Sequence, residues 1–220
     1  MNKKEIHIEK QGFPSEAIKR LSLYLRNLKK LREKNIELIS SAEITQFLNV
    51  TPCQFRKDLS YFGGFGKRGV GYNVGKLIVE LDNILGTNKE WKIALIGVGR
   101  LGSALLSFEG FSEFNIKIAS AFDVDEEKIG RTLNGIEVEN IKDLERNINK
   151  RKIKMAIICT PPEITQKLAD RLTEIGVRGI LNFAPIALKT SRDTFVSNVD
   201  MACELERLIF FLKGVEDGQK

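Results

Sequence analysis

Apolar residues near the start of the chain recur at helical spacing. Ile18, Leu21, Leu25, Leu28 and Leu31 share one face, with Ser15 after Pro14 as the expected N-cap. A Ser40-Ser41 pair then opens the segment AEITQFL, in which Ile44, Phe47 and Leu48 fall on one side. Ser41 resembles a capped helix start, although Glu43 stands two rather than three residues beyond it. After Asn49 and Val50 comes Thr51-Pro52, with Pro52 suited to a first helical turn. The segment CQFRKDLSYF then places Phe55, Leu59 and Phe62 inward. From Trp91 the pattern changes. KIALIGVG is almost continuously apolar from Ile93 to Ile96, as in a buried parallel strand. IKIASAF ending at Asp123, IKMAIICT (153–160), VRGILNFAP (177–185) and TFVSNVD (194–200) read as further strands, with Glu163–Leu172 as a helix between them. MACELERLIFFLK closes the chain at helical spacing, with Leu205, Leu208, Ile209 and Leu212 in a stripe that Phe210 and Phe211 widen.

This order predicts an α/β protein. A winged helix-turn-helix domain occupies 1–86, a Rossmann-type doubly wound parallel sheet 87–200, and a dimerisation helix and tail 201–220. The sheet domain is complete without the last helix, which is free to fold back or to dock on a partner chain; exchange between two subunits is the expectation. The wing is GGFGKRGVGYNV, where Gly63, Gly64, Gly66, Gly69 and Gly71 alternate with larger residues and Lys67-Arg68 falls at the tip. Such a ribbon can reach a minor groove. The plain alternatives are a packed helical pair followed by a flexible linker.

Charge favours the DNA reading. Residues 1–76 carry 15 Lys and Arg against 7 Asp and Glu, whereas residues 77–220 carry 20 against 22. All the excess positive charge thus sits beside the helix pair, where an anionic polymer would release counterions. The side chains expected to meet double-stranded DNA are Gln54, Arg56, Lys57, Ser60 and Tyr61 on the second helix and Ser41 and Thr51 at the helix starts. Lys67, Arg68 and Tyr72 on the wing complete that set. No apolar run is long enough to span a bilayer and the first ten residues hold no apolar stretch, so the cytoplasm is the expected compartment.

Gly97-Val98-Gly99-Arg100-Leu101-Gly102 follows a strand and opens a helix, which is the context a dinucleotide fingerprint requires. Gly97 is assigned the tight turn, Gly99 close approach to pyrophosphate, and Gly102 close helix–strand packing. Asp123 falls 21 residues after Gly102, where a carboxylate accepts from ribose hydroxyls and opposes the 2′-phosphate of NADP. The expected cofactor is NAD(H). Thr160, Pro161, Asn182, Phe183, Ala184 and Pro185 lie at strand ends and are placed near the nicotinamide half.

Catalysis is not expected. The only histidine is His7, no Tyr-x-x-x-Lys occurs from Trp91 onward, and the sheet leaves no second domain to hold a substrate. Cys53, Cys159 and Cys203 lack metal-ligand spacing, so no metal is expected either. The competing readings are an NAD-dependent oxidoreductase with a small N-terminal helical appendage, and a dimerisation module fused to a nucleotide-binding domain.

Over nearly its full length the chain resembles the redox-sensing transcriptional repressor family Rex. The matching stretches are SSAEITQFLNVTPCQFRKDLSYFGGFGKRGVGYNV, ALIGVGRLGSALL, AFDVDEEKIG, RGILNFAP and NVDMACELERLIFFL. The resemblance implies a homodimer with swapped C-terminal helices on an AT-rich inverted-repeat operator, released by NADH and opposed in this by NAD+. It also implies that Arg56 and Lys57 belong to the recognition helix, Lys67-Arg68 to the wing tip, and Gly97 to Gly102 with Asp123 to the cofactor motif. Arg20 and Asp200 match a polar pair that links the two domains of the dimer in some members. The aromatic joining that pair is often Tyr; here Phe108 stands in its place.

Overall fold

The computed structural model describes residues 13–67 and 69–218, so His7 and Arg68 lie outside the described residues. Two compact units divide between Lys89 and Glu90.

The first unit contains α1 (Ser15–Glu33), β1 (Leu38–Ile39), α2 (Ser41–Thr45), α3 (Pro52–Ser60), β2 (Tyr72–Asn73) and α4 (Val74–Leu85). Leu21, Leu25 and Leu28 of α1 are buried against Ile44, Phe55, Leu59, Leu77, Ile78 and Leu81, as the helical spacing predicts. Tyr24 joins this core with its ring edge-on to Phe55, the centroids 4.7 Å apart.

Local chemistry corrects three readings. Ser15 is the first helical residue rather than the cap, and Pro14 stands at the cap without a side-chain bond. Ser40, not Ser41, caps α2: its hydroxyl accepts from the Glu43 amide while the Glu43 carboxylate accepts from the Ser40 amide. Counted from Ser40 the capping-box spacing is regular, which removes the apparent irregularity. Phe47 is 77% exposed, not inward. The helix ends at Thr45, so the periodicity that aligned Phe47 with Ile44 ends there too. Thr51 caps α3 by accepting from the Gln54 amide at 3.1 Å, with Pro52 in the first turn as expected.

β1 and β2 pair antiparallel, Leu38 with Asn73 and Ile39 with Tyr72. Beyond them the wing is a single turn closed by reciprocal Lys67–Gly71 backbone bonds, not a regular two-stranded ribbon. Gly71 has φ +94°, and a β-carbon there would stand 2.6 Å from the Ile39 carbonyl oxygen. Glycine is therefore required at that corner.

The second unit contains β3 (Trp91–Ile96), α5 (Arg100–Leu106), a 3-10 turn (Glu109–Phe114), β4 (Ile116–Asp123), β5 (Thr132–Leu133) and β6 (Ile136–Asn140). There follow α6 (Leu144–Arg151), β7 (Met155–Ile158), α7 (Pro162–Glu174), β8 (Gly179–Asn182), β9 (Phe195–Asn198) and α8 (Met201–Gly218). The sheet order is β5-β6-β4-β3-β7-β8-β9, parallel throughout except for β5 at one edge. Without β5 this is the order of a dinucleotide-binding sheet, in which the strand order reverses between β3 and β7. Ala94 and Ile96 pack under α6 and α7 on one face. Ile93 and Leu95 pack with Leu106 of α5 on the other. The connections β4 to β6 and β8 to β9 carry no α-helix, so the winding is less regular than the ideal. Among the described residues no helix is long and apolar enough to cross a membrane.

Candidate functional site

The outward face of α3 is a stripe. Cys53, Arg56, Lys57 and Ser60 are exposed, whereas Phe55, Asp58 and Leu59 are buried. The Ser60 hydroxyl donates to the Lys57 carbonyl at 2.7 Å, and Arg56 Nη1 donates to Ser41 Oγ at 2.7 Å. Tyr61 is half-buried beside this stripe. Gln54, expected on the outside, instead donates from Nε2 to Asp58 at 2.7 Å. Tyr72 is also half-buried, its ring edge-on to Phe55.

Asp58 organises the inner side of α3. Its fully buried carboxylate accepts from Arg20 Nε at 2.6 Å, Arg20 Nη2 at 2.7 Å and the Tyr24 hydroxyl at 2.6 Å, besides Gln54. Burial alone would raise its pKa, but the hydrogen bonds from Arg20, Tyr24 and Gln54 outweigh it and hold the carboxyl below the ordinary value. Arg20 is thus committed to α3. Asp200 accepts from the amides of Ala202 and Cys203 and caps α8. Phe108 is exposed and lies edge-on to Phe111 at 5.0 Å.

In the second unit the glycine turn follows β3 directly. Gly97 has φ +91°, and a β-carbon there would lie 2.6 Å from the Cys159 carbonyl oxygen. A β-carbon on Gly102 would lie 2.0 Å from the Gly97 carbonyl oxygen, so α5 packs on the turn at a distance only glycine permits. At Gly99 a β-carbon would meet nothing within 4 Å. That side of the turn is open, as an approaching pyrophosphate requires. Val98 is buried under the turn, while Arg100 and Leu101 are exposed at the start of α5.

Asp123 closes the turn from the end of β4. Oδ2 accepts from the Val98 amide at 2.7 Å, and Oδ1 accepts from the amides of Val124 and Asp125 at 2.8 and 2.9 Å. Lys128 Nζ lies 3.7 Å from Oδ2 and 3.1 Å from Asp125. A cavity of about 410 Å³ adjoins this carboxylate, with apolar walls from Val124, Ile141, Ile164 and Leu168 and with Lys128, Lys167 and Arg171 among its lining residues. Its volume is that of a small-molecule site. The walls of this cavity beside the Asp123 carboxylate are mostly apolar. Cys159 and Thr160 line the same cavity. Burial pushes the Cys159 thiol up to about 11, so it stays protonated.

The side placed near nicotinamide is more structural than the sequence suggests. Asn182 is fully buried, donates to the Ala184 and Ile186 carbonyls and to Asn198, and accepts from the Ala184 amide. Its side chain shapes the loop after β8 rather than facing a ligand. The Thr160 and Thr165 hydroxyls share a bond of 2.9 Å at the start of α7, where Pro161 stands at the cap. Phe183 packs partly buried on the α5 side of the sheet, and Ala184 is buried while Pro185 is exposed.

Comparison with known proteins agrees with both units. Residues 13–60 match the family model "Putative DNA-binding protein N-terminus", and residues 88–186 match the CoA binding domain model. The redox-sensing transcriptional repressor Rex of Roseiflexus sp. (strain RS-1) is 42% identical over 199 residues, covering 90% of each chain. The chain belongs to the Rex family of redox-sensing transcriptional repressors. The crystal structure of the repressor RSP in complex with β-NAD+ and operator DNA is 34% identical and superposes with a TM-score of 0.88 over 94% of this chain and 95% of that one. RSP in complex with β-NADH gives 33% identity and a TM-score of 0.83 over 94% and 97%. Membership in Rex makes this a regulator of transcription, not an enzyme.

Within this Rex chain, sequence reasoning found the glycine turn and Asp123 but missed most of the cavity beside them. Lys128, Ile141, Ile164, Lys167, Leu168 and Arg171 come from segments after three different strands. Lys128 alone carried a signal, as a cation five residues past the strand-end Asp. Asp58 was missed because its four donors lie on two helices and only the fold brings them together.

Proposed function

We propose that this chain represses transcription as a homodimer on an AT-rich inverted-repeat operator in the cytoplasm, that NADH releases it, and that NAD+ opposes the release. One observation carries the reading. A basic winged-helix unit, with Arg56, Lys57 and Ser60 presented on α3, is joined in one chain to a dinucleotide turn whose carboxylate is Asp123. The complexes of RSP with β-NAD+ and operator DNA, and with β-NADH, support the same pairing of ligands.

The cofactor would lie with its pyrophosphate over Gly99 and its adenosine ribose on Asp123, with Thr160, Pro161 and Phe183 toward the nicotinamide. When bound, the dinucleotide supplies a ring whose charge differs between oxidised and reduced forms. The protein residues bind and orient it, and no group transfers hydride to a substrate. An apolar cleft receives the neutral ring at less cost than the cationic one. NADH shifts the dimer away from its DNA-binding shape only because it prefers the other shape, since equal affinity for both shifts nothing. Arg20, Phe108 and Asp200 are assigned to the interdomain switch.

The test is fluorescence anisotropy on a palindromic AT-rich duplex with NADH or NAD+ present. Operator affinity should fall with NADH and recover as NAD+ is added. An affinity independent of the NADH/NAD+ ratio defeats the reading.

A further inference from the structure

The first unit holds a groove that separates two kinds of DNA contact. It has a volume of about 700 Å³ and lies between the start of α2, the α3 residue Arg56 and the wing turn. Ser41, Arg56, Lys67 and Tyr72 bring polar atoms to it, and Gly66, Gly69 and Gly71 leave its wall low. We propose that this groove seats one phosphate of the DNA backbone, and that Arg56 is a phosphate-binding residue rather than a base-reading one. The inference rests on the DNA-binding function proposed above and assigns a division of labour within it.

Arg56 Nη1 donates to Ser41 Oγ at 2.7 Å, so the guanidinium is drawn across toward α2 and held there. A base-reading arginine needs its paired donors aimed along the groove floor at one purine edge. Here one donor is already spent sideways. The remaining N–H groups form a fork that suits a tetrahedral anion. The Ser41 hydroxyl, accepting from Arg56, keeps its own proton to donate. Tyr72 lines the same groove as Arg56. Lys67 lies on the opposite wall, and its backbone bonds to Gly71 fix where its side chain starts. Two cations, a hydroxyl and a phenol, with no carboxylate among the lining residues, are the chemistry of a phosphate cradle. Base reading then falls to the other exposed stripe of α3, Cys53, Lys57 and Ser60, which are spaced one and two helical turns apart.

The experiment uses the full-length chain with two duplexes of equal length, one a palindromic AT-rich sequence and one scrambled, each titrated across a salt series. Arg56→Gln should weaken both duplexes alike, by about tenfold, and lower the salt slope by about one. The ratio of the two affinities should not change. Arg56→Lys keeps the charge without the fork and should restore the slope but only part of the affinity. Lys57→Met should instead narrow the ratio. Thermal unfolding controls for folding, and Arg56 is exposed enough that its melting temperature should match the parent. A loss confined to the palindromic duplex would make Arg56 a base reader and overturn the proposal. Unchanged affinity for both duplexes would place the groove off the DNA and overturn it as well. If the parent chain binds neither duplex, the DNA-binding function itself fails, an outcome the parent alone reveals.

Discussion

Arg20 grips Asp58 with two nitrogens, Nε at 2.6 Å and Nη2 at 2.7 Å, and so ties α1 to the inner face of α3. The carboxylate is fully buried while the arginine is one quarter exposed. Bidentate geometry and the added donors Tyr24 and Gln54 offset the cost of burying that charge. Removing one partner leaves the other uncompensated. Arg20→Met is therefore expected to lower stability by about 2–3 kcal/mol, below the range of about 3–5 kcal/mol for a broken fully buried pair because Arg20 is partly solvated. The folded carboxyl sits below its ordinary value, so this stability is complete above the unfolded pKa and is lost as pH falls through the folded one. Chemical denaturation between pH 3 and 7, roughly the carboxylate range and above, should show the parent losing stability toward acid more steeply than Arg20→Met. Equal slopes would remove Asp58 from the acid response.

Two glycines of one turn are expected to fail in opposite ways. Gly102→Ala sets a methyl 2.0 Å from the Gly97 carbonyl oxygen, so backbone must move and the fold should lose about 1–3 kcal/mol. Gly99→Ala meets nothing within 4 Å and keeps an ordinary negative φ, so stability should stay within about 0.5 kcal/mol of the parent. Its methyl nevertheless stands where the pyrophosphate would approach, and NADH affinity should fall at least about tenfold, or 1.4 kcal/mol. Calorimetric titration with NADH beside a melting curve separates the two. A Gly99→Ala protein that binds NADH as tightly as the parent would mean the dinucleotide does not cross that face.

The parts of this chain that were legible are those whose physics is local. The run Ile93 to Ile96 fills both faces of a strand, and Gly97 and Gly102 stand where a turn and a helix must crowd one another, so motif and fold agree. Thr51-Pro52 likewise announces α3 through groups three residues apart. Readings failed where a neighbour distant in sequence decides. Gln54 looks like a surface residue until Asp58 turns inward, and Asp58 turns inward because Arg20, 38 residues earlier, lies against it. Phe47 looked buried because helical spacing was extended past the real end of α2. The strand β6, IEVEN, went unseen because a short strand near the sheet edge alternates apolar and acidic residues and carries no continuous apolar run. Asn182 looked like a ligand contact by its position at a strand end, yet the loop after it consumes both ends of its amide.

Cys53 shares the exposed stripe of α3 with Lys57 and Ser60. Alkylation with N-ethylmaleimide should abolish DNA binding, because the adduct occupies space the DNA needs. NADH binding should survive, since Cys159 is partly buried and its thiol is held protonated. Cys53→Ser protein should bind DNA and resist the reagent, with mass spectrometry reporting which thiols react. If alkylated parent and Cys53→Ser protein bind DNA equally well, Cys53 lies outside the contact surface.

The last helix presents the clearest unpaired surface. Leu205, Leu208, Ile209 and Leu212 are 54–63% exposed, and Phe210 and Phe211 lie exposed beside them. A single chain does not leave so large an apolar face in water without a partner. Asp200 caps the start of the helix. A second copy of the chain supplies the same face and lets a two-fold axis match an inverted repeat. Truncation after Val199 should therefore convert a dimer into a monomer in sedimentation velocity. The glycine turn and Asp123 lie wholly before that point, so the truncated protein should still bind NADH, which shows that its sheet is folded. Operator affinity should fall by at least about a hundredfold, because each monomer meets one half-site without the effective concentration that joins two. A truncated protein that sediments as a dimer would leave α8 without its assigned partner and place the two-fold contact elsewhere on the chain.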